Sequence, residues 1–114
     1  MAEPISIRTL ELPDVILLHV CGEVDMATAP MLRQVLISAV ATRRHVVVSI
    51  HDVEYIDMAG FHALEAGKAA KAAGQNIAVV GSSAHVKRVL RVIQFNTVLP
   101  TFESEPEALE FVRT

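Results

Sequence analysis

The sequence has one cysteine, Cys21, and aromatic residues make up only 4% of its 114 positions. A lone cysteine cannot close an internal disulfide, and Cys21 fits a reducing cytoplasm. With so few rings, the core must be filled by Val, Ile, Leu and Ala, the usual filling of a parallel sheet covered by helices. No stretch approaches the roughly 18 consecutive apolar residues of a membrane span, and Met1-Ala2-Glu3-Pro4 lacks the basic and apolar regions of a secretory leader. The expectation is a soluble, cytoplasmic protein without membrane insertion. An excess of positive charge is also missing: the net charge is -3, which argues against nucleic acid as the main partner. What the chain does have is apolar material, 52% hydrophobic against 20% charged. That suffices to offset the entropy of folding one domain, taken as residues 1–114, but leaves no room for a second core.

Ile5 to Leu10 alternates apolar and polar positions, and Val15 to Cys21 is almost continuously apolar, so the two predict a hairpin joined by Glu11 to Asp14. The first strand lies at the edge and the second deeper in the sheet. Gly22-Glu23-Val24-Asp25 is expected to break the second strand. Thr28 or Asp25 would then cap a helix with Pro30 in its opening turn. Leu32, Val35, Leu36, Ala39 and Val40 form its apolar stripe, and Arg43 and Arg44 would complement its negative end. His45 to Ile50 is β-branched on both faces and predicts a central strand. From Gly60, the small residues Ala63, Ala66, Gly67, Ala70, Ala73 and Gly74 recur at helical spacing, a stripe that lets a helix lie close to a sheet. Ile77 to Val80 predicts a further strand. Ser83 caps a helix burying Val86, Val89, Leu90 and Ile93, with Lys87, Arg88 and Arg91 outside and Asn96 ending it. Ser104 to Glu107 matches a capping box ahead of Ala108, Leu109, Phe111 and Val112. The element order is ββαβαβα(β)α.

Asp25 and Asp57 each follow a strand and precede a helix, where ligands of open α/β sheets usually bind. They could form a general acid/base pair with His19, His62 or Cys21 as a third group, but acids at strand ends commonly serve as helix caps. His19 and Cys21 share a strand face, the minimum for a thiolate nucleophile, although so apolar a strand favours Cys21 as a small buried hydrophobe. His45 and His51 share a face but are too far apart for one metal, and no Cys and His cluster has ligand spacing. Gly81-Ser82-Ser83 could cradle a phosphate, yet it lacks the lysine and further glycines of a P-loop. No metal, cofactor or catalytic residue is expected.

Three stretches together resemble the STAS domain family of bacterial anti-sigma factor antagonists. Gly22-Glu23-Val24-Asp25 running into Thr28-Ala29-Pro30 is similar to that family's G-E-[LIV]-D signature. Val46 to Ile50 through Val53, Tyr55, Ile56, Asp57 and Gly60 resembles its central strand and D-S-[ST]-G turn. Ile77 to Gly81, then a closing helix with Glu107-Ala108-Leu109, completes the likeness, which spans nearly the whole chain. The resemblance implies an α/β, SpoIIAA-like fold: a four- to five-stranded mixed sheet with helices mainly on one side. It also implies a protein partner, an anti-sigma factor or a serine kinase-like regulator of the GHKL type, with self-association as a homodimer left open. In that family the kinase phosphorylates the first hydroxyl residue of the turn. Here that position is Met58, Ala59 follows it without a hydroxyl, and Ser49 replaces the acidic residue common in the central strand. The docking surface carries over by resemblance to Asp25, Asp57 and Gly60, and the expected partner-binding set adds Thr28, Met58, Ala59, Phe61, His62 and Ser83.

Three functions compete at this stage. One is an antagonist-like binding module acting in transcription regulation without a phosphate switch at Met58; phosphate there would put about 1.5 to 2 negative charges beside Asp57. Another is a constitutive subunit of a transporter or signalling assembly. A third is an enzyme or small-ligand sensor using Asp25, Asp57 and His62. Met58 either anchors an interface or folds down onto the domain. Ser82, Ser83 and Thr28 are other hydroxyls that a kinase could use.

Overall fold

The computed structural model describes residues 5–81 and 83–114. The N-terminal Met1 to Pro4 and the Ser82 of the proposed phosphate cradle lie outside the described residues. Strand β1 (Ile5–Glu11) pairs antiparallel with β2 (Val15–Val24), and the connection crosses through helix α1 (Ala29–Ala41) to β3 (His45–Ile56), parallel to β2. Beyond β3 come α2 (Met58–Leu64), a 3-10 turn (Glu65–Gly67), α3 (Lys68–Ala72), β4 (Ile77–Val80) and α4 (Ala84–Val92). A second 3-10 turn (Phe95–Thr97), β5 (Thr101–Phe102) and α5 (Glu105–Val112) close the chain. The strands lie in sequential order, β1-β2-β3-β4-β5, with only the first pair antiparallel. This is the mixed sheet expected from the sequence, with the two-residue β5 as the bracketed strand, but the single helix expected between β3 and β4 is instead α2 and α3 joined by a 3-10 turn.

Alternation along the strands sorts the core into two layers. Ile16, Leu18, Val20, Val46, Val48 and Ile50 face α1, α2, α3 and α4. Val15, Leu17, Val47, Ala78 and Val80 face α5, with Leu12 and Phe102 at the margin of this layer. Successive strand side chains point to opposite faces, so a strand apolar at every position must be covered twice, as β2 and β3 are.

Several expectations need correction. Gly22-Glu23-Val24 does not break β2; the strand runs to Val24, with Gly22 at φ 97° beside a register shift. β3 is longer than His45 to Ile50 because two bulges are built into it: His19 and Cys21 face Ser49 and Asp52, and Gly22 and Glu23 face Val53 and Tyr55. Each bulge adds one residue to β3, so Val53 and Ile56 are buried at a spacing of three that no strand alternation would suggest. Arg43 and Arg44 lie past the last helical turn: Arg43 takes the left-handed conformation at φ 66°, and Arg44 pairs with Glu11 at 2.9 Å. Gln94, at φ 53°, makes the turn after α4 that Asn96 was expected to make.

The small-residue stripe is only partly a contact surface. Ala63, Gly67 and Ala70 are buried, while Ala73 and Gly74 are exposed and end α3. A Cβ on Gly67 would collide with the Ile77 side chain, so this glycine sets how closely the segment approaches β4. The caps at Ser83 and Ser104 form as expected, accepting from Val86 N–H and Glu107 N–H, and Ser104 Oγ also donates to Glu107 at 2.8 Å.

Candidate functional site

Val24 and Ile56 are register partners at the carboxyl ends of β2 and β3, so Asp25 and Asp57 leave the sheet from adjacent strands. Asp57 N–H donates to the Val24 carbonyl at 3.2 Å, which ties the two turns together. Each carboxylate then folds onto its own backbone. Asp25 Oδ1 accepts from Ala27 N–H at 2.9 Å and Thr28 N–H at 3.1 Å, and Asp57 Oδ1 accepts from Gly60 N–H at 3.2 Å as the cap of α2. Of the two residues expected to cap α1, Asp25 accepts from the free amides ahead of the helix, and Thr28 is a buried brace: its hydroxyl donates to the Glu23 carbonyl at 2.8 Å and accepts from Asp25 N–H at 2.9 Å. It caps nothing, because its own backbone is already helical.

Gly60 lets the second turn seat. A Cβ there would lie 2.6 Å from Ile56 Cγ1 and 2.9 Å from Val24 Cγ1, so only a bare backbone lets α2 rest on the two strand ends. Phe61 was expected on the docking surface, yet it is buried, its ring 5.5 Å from that of Phe95. The large ring is worth more in the core than in water, and its place one residue after Gly60 turns it inward. Gly60 and Phe61 therefore support the surface from beneath. Ser83 follows β4 at the same end of the parallel strands, where its hydroxyl is taken up as the cap of α4.

Three methionines face outward here. Met58 is 54% exposed and does not fold down onto the domain. Met26 is 82% exposed and Met31 52%. Between the start of α1 and α2 runs an open groove of about 360 Å³, lined by Met26, Ala29, Pro30, Arg33, Ala59 and His62, with Ala63. Met26, Met31 and Arg33 were missed by the sequence reading. The available signal was an apolar residue placed between Asp25 and Thr28, in a turn where solvent-facing residues are normally polar.

The chemical readings gain little. His62 lines the groove without a hydrogen bond to either carboxylate, and each carboxylate is already accepting from backbone amides. His19 Nε2 is 3.2 Å from Glu105, at the start of α5, so the imidazole is engaged there rather than by Cys21. Cys21 is half-buried opposite Ser6 and Asp52, not enclosed in the core. His45 Nδ1 accepts from Asn76 N–H at 3.0 Å, and His51 lies 3.9 Å from Asp52. Among the described residues no group of three or more His, Cys, Asp or Glu could hold a metal, and no helix is long and apolar enough to cross a membrane. Of the basic face on α4, Lys87 is paired with Glu103 across a larger open cleft of about 780 Å³. That cleft lies beside α4 and β5 and includes neither strand-end turn.

The STAS domain model matches residues 6–108. An anti-sigma factor antagonist from Mycobacterium paratuberculosis is 25% identical over 100% of both chains, with a TM-score of 0.89. The phosphorylated form of the Bacillus cell fate determinant SpoIIAA is 14% identical, covering 95% of this chain and 100% of that one, at a TM-score of 0.68. A sulfate transporter family protein from Wolinella succinogenes is 22% identical over 91% of this chain and 88% of its own, at 0.74. The last two likenesses are of fold. No curated protein matches the sequence.

Proposed function

Because the chain belongs to the STAS domain family, we propose that it is a protein-binding module of the anti-sigma factor antagonist kind. It docks a regulatory protein, an anti-sigma factor or a GHKL-type serine kinase-like regulator, through the Asp57 to Gly60 turn and the start of α1. The exposed Met58 carries this reading: an apolar side chain stands in solvent where the resemblance places a phosphorylatable hydroxyl. Methionine is enriched at interfaces, adapts its shape to a partner and accepts no phosphate. The full-length likeness to the mycobacterial antagonist supports the partner class.

Phosphate does not switch this turn, since neither Met58 nor Ala59 has a hydroxyl. Thr28 is a poor substitute, being buried with its hydroxyl in use. The role is binding rather than catalysis, because the strand-end carboxylates serve as backbone acceptors. The cytoplasm is its proposed location.

The test is an affinity pull-down from the source organism with the wild-type chain and Met58→Asp. The wild type should recover an anti-sigma factor or kinase-like regulator, the charged variant should not, and adding ATP should leave the wild-type complex intact. Equal recovery by both chains, or release by ATP, refutes the reading. A constitutive subunit of a transporter assembly is the second reading, supported by the Wolinella likeness. Recovery of a transport protein in place of a sigma regulator would select it.

A further inference from the structure

Every methionine among the described residues, Met26, Met31 and Met58, is exposed, although the core is otherwise rich in aliphatic side chains. Met26 and Met58 each sit two residues past a member of the Val24 and Ile56 register pair, and Met26 lines the groove that Ala59 also lines. Thioethers are thus kept out of the core and placed at the one end of the sheet where a partner is proposed to dock. An exposed thioether is the methionine most open to oxygen transfer, and its sulfoxide is polar where the thioether is apolar.

We propose that Met58 is a reversible oxidation site that releases the docked partner, a regulation that rests on the proposed function. The oxidant is a hydroperoxide. The Met58 Sδ lone pair attacks one peroxide oxygen, the O–O bond breaks, and sulfur loses two electrons to become the sulfoxide. With hydrogen peroxide, the second oxygen leaves as water. The return step is a thiol-dependent sulfoxide reduction, in which two thiols become a disulfide and the oxygen departs as water.

The geometry makes the sulfoxide disruptive. The new S=O group is a strong acceptor on the residue that follows Asp57, and the Gly60 N–H of the same turn is already donated to Asp57 Oδ1. Docking would desolvate that oxygen against an apolar contact with no donor left to it from Gly60. Leaving a buried acceptor unpaired weakens binding by roughly tenfold or more.

The experiment has two stages. First, the purified chain is treated with hydrogen peroxide and mapped by peptide mass spectrometry, with the unfolding midpoint as a check on the fold. Met58 should form sulfoxide at a rate close to that of free methionine; a Met58 that resists in the folded chain overturns the proposal without any partner. Second, the regulator recovered by the wild-type chain is purified, and its affinity is measured for each chain before and after peroxide. In an M26L/M31L background, oxidation should weaken binding by roughly tenfold, and a methionine sulfoxide reductase with a thiol should restore it. With Met58→Leu added to that background, the ratio of affinities before and after peroxide should be near one. Undiminished binding at full Met58 oxidation overturns the oxidation site and leaves the docking surface standing. No regulator bound by the untreated chain overturns the docking surface, and the switch with it.

Discussion

Asp57 has one observed role and one proposed role, and substitution can separate them. As the cap of α2 its Oδ1 accepts from Gly60 N–H; as a carboxylate beside Met58 it contributes charge to the proposed contact. Asp57→Ala should lower stability by about 1 kcal/mol in urea unfolding, the usual cost of a lost cap. Asp57→Asn keeps an acceptor oxygen and should unfold close to wild type. If the Asn variant nevertheless loses the partner, the carboxylate belongs to the contact. Arg43 is an independent case: a residue with a Cβ held at φ 66° carries local strain that glycine does not. Arg43→Gly should raise the urea midpoint by an amount equivalent to about 1 kcal/mol; an unchanged or lower midpoint would mean that the Arg43 side chain offsets the strain.

At the scale of elements, α5 is the only helix covering one sheet face among the described residues, and polar contacts hold it at both ends. His19 reaches Glu105 near its start, and Arg113 Nε lies 2.9 Å from Asp14 Oδ2 just past its end. Ser104→Ala removes the cap and should cost about 1 kcal/mol. The Arg113 hydrogen bond holds the Asp14 carboxyl below its ordinary value. A carboxyl depressed in the folded state contributes stability above its unfolded pKa and loses it as the pH falls through the folded value. The difference in urea midpoint between wild type and Asp14→Asn should therefore be present at neutral pH. It should shrink once the pH drops below about 4, and it should be small throughout because the pair is exposed to solvent and screened by salt. A difference that grows on acidification would refute the assignment.

The whole molecule offers a core test against which surface variants can be judged. Phe95 is buried against Phe61, joining the turn after α4 to the helix beneath the candidate site. Phe95→Ala should cost about 3–5 kcal/mol, as large ring truncations in cores do. The chain has one tyrosine and no tryptophan, so Tyr55 fluorescence reports the end of β3 while circular dichroism reports the helices. The two transitions should coincide in wild type and move together in the variant if the domain unfolds as a unit; separated transitions would show that the turn region opens independently.

Local chemistry was legible in the sequence wherever neighbours in the chain decide the outcome. The β-branched run from His45 to Ile50, the helical spacing of Val86 and Leu90, the caps at Ser83 and Ser104 and the hairpin of β1 with β2 all depend on contacts or patterns within a few residues. Contacts between distant residues decided the rest. Gly22 to Val24 stays in β2, and His51 to Ile56 stays in β3, because each strand pairs with the other across two bulges that blur the alternation. Arg113 meets Asp14 across 99 positions. The Asp57 to Gly60 turn could be placed from its residues, and so could its lack of a hydroxyl. That Phe61 turns inward, that Met58 stays out, and that Met26 and Met58 leave from paired strands followed only from the register of the sheet. A linear pattern specifies which residues can form a strand or a helix; side-by-side strand pairing and the closure of a shared core specify which of them meet.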